Sequence, residues 1–542
     1  MLLDVIGQCP KRGKDPAVLF IIRAELKAVP LGNLQCDLQR VDGVESQAGA
    51  EQRGLRIDGV RCDALEIHGL YDECRQLALG SGLSRRHGRK SYRRGTIAAV
   101  SATHNEIPAE FDVVIVGGGP AGSTAAAFLS RRGRSVALIE KSQHPRFHIG
   151  ESLLPMNVPI FERLGVLERV EAMGVRKLGA DFPAANERGY NVFRFDRALQ
   201  PDLPYAYQVR RDEFDAMLFA RAAECGARIF SETRARSIEF GKDQVTVALE
   251  SAAGTSTLRA RYLIDATGRD ALLGGLLKLR LKHTRHQTAA LFAHFSGVER
   301  RPGEDAGNIS IYRFQHGWIW MIPLPDGNMS IGAVCTPEYL KQRKSGPGEF
   351  LLATLRCIPD AWKRMENAAI VANAHATGNY SYTCSRMTGR RWIMAGDSGA
   401  FLDPIFSSGV FLAMNSAELA ADAVDEILTH PKRERALQRR FERHIRSALR
   451  LFSWFIYRFN TPSMRDLFAS PRNILQMEQA MISMLSGDLF RRNGVRWRLR
   501  AFKAIYWIST LGRVRESFAD FRARRRHARD VFTGGTTGHD YG

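Results

Sequence analysis

Residues Phe111–Gly122 read FDVVIVGGGPAG, an apolar, β-branched run that ends abruptly in glycines. Such a run makes a buried strand, and the glycines make the turn that follows it. Ser123–Gly133 (STAAAFLSRRG) carries its apolar residues at helical spacing, and Ser135–Lys141 (SVALIEK) is a second short apolar run. Strand, turn, helix and strand form a βαβ unit, because parallel neighbours must be joined by a crossover, usually a helix. The expected fold class is α/β, with a Rossmann-type parallel sheet opening here.

Gly117, Gly119 and Gly122 form G-x-G-x-x-G between that strand and helix. The first glycine permits the tight turn, the second lets the backbone approach a pyrophosphate, and the third lets helix and strand pack closely. The helix N-terminus then presents free backbone N–H groups to the anion. Glu140 ends the second strand, 21 residues after Gly119, where a carboxylate accepts a bond from a ribose hydroxyl. An acid there disfavours the 2′-phosphate of NADP.

Outward from this unit, residues 151–430 mix strand-like runs (QVTVALE, WIWMIPL, SIGAV) with helical ones (RDEFDAMLFARAAECGA, AELAADAVDEIL). From 432 onward the pattern is almost entirely helical, with basic and aromatic residues alternating in FERHIRSALRLFSWFIYRF and RWRLRAFKAIYWIST. Residues 1–105 look foreign to the rest. They hold four of the eight cysteines and end in GLSRRHGRKSYRRGT, and after Met1 the next methionine is Met156. Val100 reads as a GTG start, so residues 1–105 are expected to be a misannotated or disordered extension. The expected organisation is then 106–430 as the dinucleotide domain with an interleaved substrate layer, 431–530 as a basic helical region, and 531–542 as a tail.

The 542 residues, 44% hydrophobic and 25% charged, suffice for two or three folded domains and exclude a wholly disordered chain. No run approaches the roughly 20 apolar residues of a membrane-spanning helix. The N-terminus lacks the order of a secretory signal. The cysteines form no C-x-x-C pair and no zinc-type cluster, so no metal is expected and a cytoplasmic, reducing location fits. The net charge of +21 is concentrated: residues 431–530 hold 24 Lys plus Arg against 8 Asp plus Glu, and residues 1–105 hold 16 against 12. With no nucleic-acid-binding motif present, this points away from nucleic acid and toward an acidic protein or an anionic membrane surface at the C-terminal helices.

Three further segments narrow the ligand: PRFHIGESLLP after the second strand, RYLIDATGRD at the end of a later one, and AGDSGAFLDPIFSSGV before another helix. Together they resemble the FAD-binding elements of glutathione-reductase-like flavoproteins, the branch holding aromatic hydroxylases, geranylgeranyl reductases and flavin-dependent halogenases. The resemblance implies that Gly117, Gly119, Pro120, Ala121, Gly122, Glu140, Lys141, Glu151, Ser152, Arg211 and Asp397 hold FAD. No second G-x-G-x-x-G follows, so no separate NAD(P)H domain is expected.

Gly317–Pro323 reads GWIWMIP, and W-x-W-x-I-P resembles the signature of the flavin-dependent halogenases. The similarity runs from about Phe111 to Leu489 and includes the segment Asn460–Asp488. It implies that reduced FAD, O₂ and chloride or bromide generate hypohalous acid, which a lysine between the flavin and substrate sites intercepts. In the phenol- and pyrrole-acting branch that lysine sits in G-F-x-x-K-x-G-A. Here AMGVRKLGADF places Lys177 in the match, with Met173-Gly174 standing where Gly-Phe is usual. The resemblance further implies that Trp318 and Trp320 line the wall and that backbone N–H groups of Ser408 and Gly409 seat the halide. Phe406 stands where tryptophan-acting members carry a glutamate, which favours a phenol or pyrrole ring, free or tethered to a carrier protein. A separate flavin reductase is the expected source of FADH₂. The competing readings are an aromatic monooxygenase, whose D-G-x-x-S-x-V-R segment is not matched by Asp265–Leu272, and a prenyl-lipid-type reductase, which would need neither W-x-W-x-I-P nor Lys177. A third is a flavoprotein whose basic helices mainly dock a membrane or partner.

Overall fold

The computed structural model describes residues 56–57, 60–61, 110–184, 189–282, 288–378, 381–469, 474–491 and 494–512. The chain divides into two units, Met1–Asn105 and Glu106–Gly542. In the first, Arg56–Ile57 and Val60–Arg61 pair antiparallel. The rest of the expected extension, and the tail at 531–542, lie outside the described residues.

The second unit opens on the βαβ element read from the sequence: strand Glu110–Val116, helix Pro120–Arg131 and strand Val136–Ile139. The two strands pair in parallel, and Val113, Val114 and Ile115 are fully buried. On the other side of the first strand lies Gly254–Asp265, whose sequence shows why one strand joins the antiparallel and parallel parts of a single sheet. It starts with four exposed residues, alternates buried and exposed over Leu258–Arg261, and pairs antiparallel with Val245–Ser251; its last four residues, Tyr262–Asp265, are all buried and run parallel to Glu110–Val116. A parallel sheet covered on both faces demands that continuous apolar run, and a half-solvated antiparallel meander tolerates alternation.

Helix Pro120–Arg131 packs against helix Ser408–Thr429. Buried alanines on both, Ala125, Ala126 and Ala127 facing a helix with Ala417, Ala420 and Ala421, permit the close approach. Proline at the first helical position costs no hydrogen bond, since that N–H would be unpaired in any case.

The inserted layer is a second sheet. Strands Ala289–Ser296, Met329–Cys335, Gly317–Pro323 and Ile309–Phe314 run antiparallel in that order, and Gly179–Pro183 then adds in parallel. Period two divides its faces. Ile309, Ile311, Trp318, Trp320 and Ile322 join the core shared with the dinucleotide sheet, and Tyr312, Ile319, Met321, Ile331 and Ala333 join a separate core that includes Phe350 and Leu351 of helix Pro347–Arg356.

The region after 430 is built into this unit. Helix Glu434–Ile456 follows helix Ser408–Thr429 after only the short turn Pro431–Arg433, so the boundary expected at 430/431 is a corner between packed helices. Leu437, Phe441, Ile445, Leu449 and Phe452 are buried at three- to four-residue spacing, and Gln438 Nε2 donates to Tyr262 Oη (2.8 Å). The core thus takes up the apolar stripe of this helix, leaving Arg435, Arg439, Arg443 and Arg450 in solvent. Helix Val495–Gly512 does expose Trp507, Ile508 and Leu511. No helix among the described residues is long and apolar enough to cross a membrane.

Candidate active site

The glycines of the first turn have distinct geometric jobs. Gly117 adopts φ 106°, and a Cβ there would lie 2.3 Å from the carbonyl oxygen of Ala266, just past the end of the neighbouring strand. A Cβ on Gly122 would lie 1.7 Å from the Gly117 carbonyl oxygen. Gly119 differs, with Arg146 Nη2 at 3.6 Å as the nearest obstacle, so its front is open. Gly119 caps helix Pro120–Arg131 without any side-chain bond, which leaves first-turn N–H groups for an anion. Glu140 is fixed from below: its Oε2 accepts from Gly118 N (2.7 Å) and its Oε1 from Ser142 N (2.9 Å). A carboxylate has further lone pairs to give, so a ribose hydroxyl can still be accepted.

These groups open on a cavity of about 500 Å³. Of the residues singled out in the sequence, Gly117, Gly119, Pro120, Ala121, Glu140, Lys141, Glu151, Ser152, Arg211, Trp318, Trp320, Asp397 and Gly409 line it. Gly122, Lys177 and Ser408 do not reach its surface. Lys141 forms an ion pair with Asp270. Arg211 makes a two-pronged bond to the fully buried Asp215 (2.8 and 3.0 Å) and donates to Ile149 O (2.8 Å), which anchors the segment that carries Glu151 and Ser152. Burial alone would raise the Asp215 carboxyl, but Arg211 outweighs it and holds the group below its ordinary range. Asp397 shows the reverse balance, pushed up to about 6 by burial against Arg211 and Arg269.

Lys177 ends strand Gly174–Lys177, pairing with Ala206, and is 2% exposed. Its Nζ donates to Ser152 Oγ (2.9 Å) and Leu153 O (3.1 Å) and sits 5.3 Å from the centre of the Phe195 ring. Burial pushes the ammonium down to about 7, with Asp181 opposing. Asp181 is itself pushed up to about 6 by burial, against Arg301 and Asn308. The two indoles lie 5.7 Å apart and tilted by 48°, and Trp320 Nε1 donates to Ser330 Oγ (3.2 Å). They are core and cavity wall at once. At the other end of the cavity Ser407 takes a left-handed conformation (φ 54°) and caps helix Ser408–Thr429 with no side-chain bond, while a Cβ on Gly409 would meet nothing within 4 Å.

The sequence reading missed two members of the cavity, Arg146 and Phe147, and a residue behind its wall, His294. Arg146 lies 3.8 Å from Glu140 and 4.0 Å from Asp215. Phe147 lines the cavity and stacks on His375 (4.7 Å), and His294 Nε2 meets Glu151 Oε1 at 2.7 Å. The signal for the first two was the basic-aromatic run PRFH beside Glu140; nothing local marks His294.

Fold and cavity define a dinucleotide-binding flavoprotein, and residues 110–448 match the family described as FAD binding domain. The glycine cradle, the uncapped helix and Glu140 fit FAD. The chain is 36% identical over 334 residues to a tryptophan 2-halogenase of Chondromyces crocatus, covering 60% of this chain and 62% of that relative. It is 32% identical over 323 residues to a 1H-pyrrole-2-carbonyl-[peptidyl-carrier protein] brominase of Pseudoalteromonas luteoviolacea, covering 59% of this chain and 78% of the relative. The solved myxobacterial chondrochloren halogenase CndH superposes with a TM-score of 0.62 at 28% identity, covering 72% of this chain and 99% of that one. The chain belongs to the flavin-dependent halogenases, enzymes that use FAD.

Proposed function

We propose that the protein chlorinates or brominates a phenol- or pyrrole-type ring by electrophilic substitution, with Lys177 delivering the halogen. The observation that carries this reading is a buried lysine, its ammonium pushed down to about 7 by burial, one hydrogen bond behind Ser152 of the cavity wall. Bound and reduced, FAD supplies the electrons that activate O₂. Gly117, Gly119, Pro120, Ala121, Gly122, Glu140, Lys141, Glu151, Ser152, Arg211 and Asp397 hold it. Ser408 and Gly409 seat the halide with backbone N–H groups at a helix start, where the partial positive charge suits an anion. Hypohalous acid formed there meets Lys177, which holds the halogen on Nζ or steers it by a hydrogen bond. Trp318 and Trp320 keep water out of the passage. The ring carbon then takes the halogen and releases a proton.

Phe406, in place of an acid, supports a phenol or pyrrole over free tryptophan. The carrier-protein brominase among the relatives favours a second reading, a substrate tethered to a peptidyl carrier. A separate flavin reductase would provide FADH₂.

The test is a reconstituted assay with FAD, a general flavin reductase, NADH, bromide or chloride, and a panel of phenols, pyrroles and tryptophan. Mass spectrometry should find the halogen isotope doublet with wild type. Lys177→Ala should bind FAD and consume O₂ yet release no halogenated product. An oxygen-added product would assign the protein to the monooxygenases, and full halogenation by Lys177→Ala would remove the lysine from the chemistry.

A further inference from the structure

Arg313 stands on strand Ile309–Phe314, directly opposite Trp318 in the antiparallel register. Period two puts it on the face of Ile309, Ile311, Trp318 and Trp320, the face turned toward the flavin cavity. Its guanidinium carbon lies 3.8 Å from the centre of the Phe459 ring and 5.3 Å from that of Phe468. Those rings continue into Phe182, Phe193 and Phe406 at centroid separations of 5.3 to 6.0 Å. Phe406 in turn immediately precedes the Ser407–Gly409 turn.

Two nitrogens of this guanidinium, Nε and Nη2, are sealed from solvent and meet no acceptor among the described residues. Burial pushes the group down to about 9, Arg465 adding to that and Asp466 opposing, so it stays charged at neutral pH. A sealed cation with unspent donors costs several kcal/mol unless something compensates it. Stacking on Phe459 offsets part of that cost but satisfies no N–H group. The missing complement is an oxyanion, and the planar fork of donors matches a carboxylate in two-pronged fashion. The phenylalanine cluster that begins at Phe459 and Phe468 matches an aromatic ring.

We propose that Arg313 is a specificity residue that binds the carboxylate of a free aromatic acid, so that the substrate is a phenol or pyrrole carrying an acid group. This rests on the reading of the cavity as a ring-halogenating site and deepens it: a carrier thioester has no such anion, and the free acid is therefore favoured over the tethered one. Entry of the ring requires helix Pro462–Ala469, which carries Phe468, to move off the guanidinium.

Binding to the oxidised, FAD-loaded enzyme tests this without turnover. In calorimetric titrations at fixed chloride, wild type should bind para-hydroxybenzoate about tenfold or more tighter than neutral para-hydroxybenzamide, the margin of a charged hydrogen-bond pair. Arg313→Leu should retain FAD and bind the amide as wild type does, with the preference for the acid lost; Arg313→Lys should restore part of it. Equal binding of acid and amide by wild type would overturn the proposal, as would a preference that survives in Arg313→Leu. Loss of chloride binding in Arg313→Leu with the acid preference intact would make the guanidinium a halide site and overturn it as well. Failure of the halogenation assay would refute the reading of the chemistry and leave this binding preference standing, so the two can fail separately.

Discussion

The Nζ of Lys177 lies 2.9 Å from the Oγ of Ser152, a residue of the cavity wall, although Lys177 does not itself reach the cavity surface. The ammonium is thus connected to the flavin side by a single hydroxyl, and its other bond goes to a main-chain carbonyl, Leu153 O. Among the described residues no carboxylate pairs with it directly. Burial is the largest influence on its protonation, and the more distant charge of Asp181 only partly opposes it.

That balance has a signature in stability. The Lys177 pKa lies near 7 in the folded protein and near its ordinary 10.5 in the unfolded chain. Between those values the unfolded state binds the extra proton, so Lys177 makes folding more favourable as pH rises and less favourable as it falls toward 7. The slope is up to about 1.4 kcal/mol per pH unit at the centre of that window. Denaturant unfolding of wild type and Lys177→Met at pH 7, 8 and 9 should show the wild type gaining on the variant with each step. Parallel stability curves would mean that the lysine is solvated.

Asp181→Asn should shift the pH dependence of halogenation rather than remove activity. Asp181 is buried, bonded by Arg301 (3.1 Å) and by Asn308 (3.0 Å), and its charge favours the Lys177 ammonium. An amide keeps the shape and loses the charge, so Lys177 should deprotonate at lower pH by about one unit, the scale set by a nearby buried charge. The pH–rate profile of product release reads this directly, with flavin content as the control for folding. An unmoved profile would uncouple the two residues.

The glycines of the first turn should separate folding from cofactor binding. Gly122→Ala drives a methyl into the Gly117 carbonyl at 1.7 Å, an overpacking that costs about 1 to 3 kcal/mol or more. Gly119→Ala meets nothing closer than 3.6 Å. Thermal melting of the apoprotein should fall for Gly122→Ala and stay near wild type for Gly119→Ala. FAD titration should reveal weakened binding in both, because a methyl on Gly119 stands where the pyrophosphate approaches the backbone. Wild-type FAD affinity in Gly119→Ala would place the pyrophosphate elsewhere.

What was legible in the sequence follows from range. The strand Phe111–Val116, the glycine turn and Glu140 lie within a short stretch, and the physics that selects them is local: β-branched burial, a positive φ, a helix start. Trp318 and Trp320 were legible as a pair because period two fixes their common face. What covers the apolar stripe of helix Glu434–Ile456 was not legible, since helical periodicity reveals such a stripe but not its tertiary partner. His294 meeting Glu151, and Arg313 beneath Phe459, bring together residues 143 and 146 positions apart, through tertiary packing that no local pattern encodes. The burial of Lys177 belongs to the same class, because a lysine in a motif looks the same in sequence whether solvated or sealed.

Removing Asp215 should damage the site through the segment it anchors. Its carboxylate takes both prongs of Arg211, whose Nη1 holds Ile149 O and Gly150 O, and Arg146 stands 4.0 Å away. Asp215→Ala leaves the Arg211 guanidinium buried and half-satisfied, and breaking one side of such a pair costs about 3 to 5 kcal/mol. Glu151 and Ser152 follow Ile149 in the chain, so their positions loosen together, and with Ser152 goes the partner of Lys177. Asp215→Ala should therefore melt well below wild type, retain FAD poorly and halogenate weakly. The double variant Arg211→Leu/Asp215→Leu removes both charges and should recover much of the lost stability, because no orphaned cation remains, but not FAD retention, because Arg211 lines the cavity. Equal melting temperatures for the single and double variants would mean that the pair carries no net burial cost and that Ile149 is anchored by other contacts.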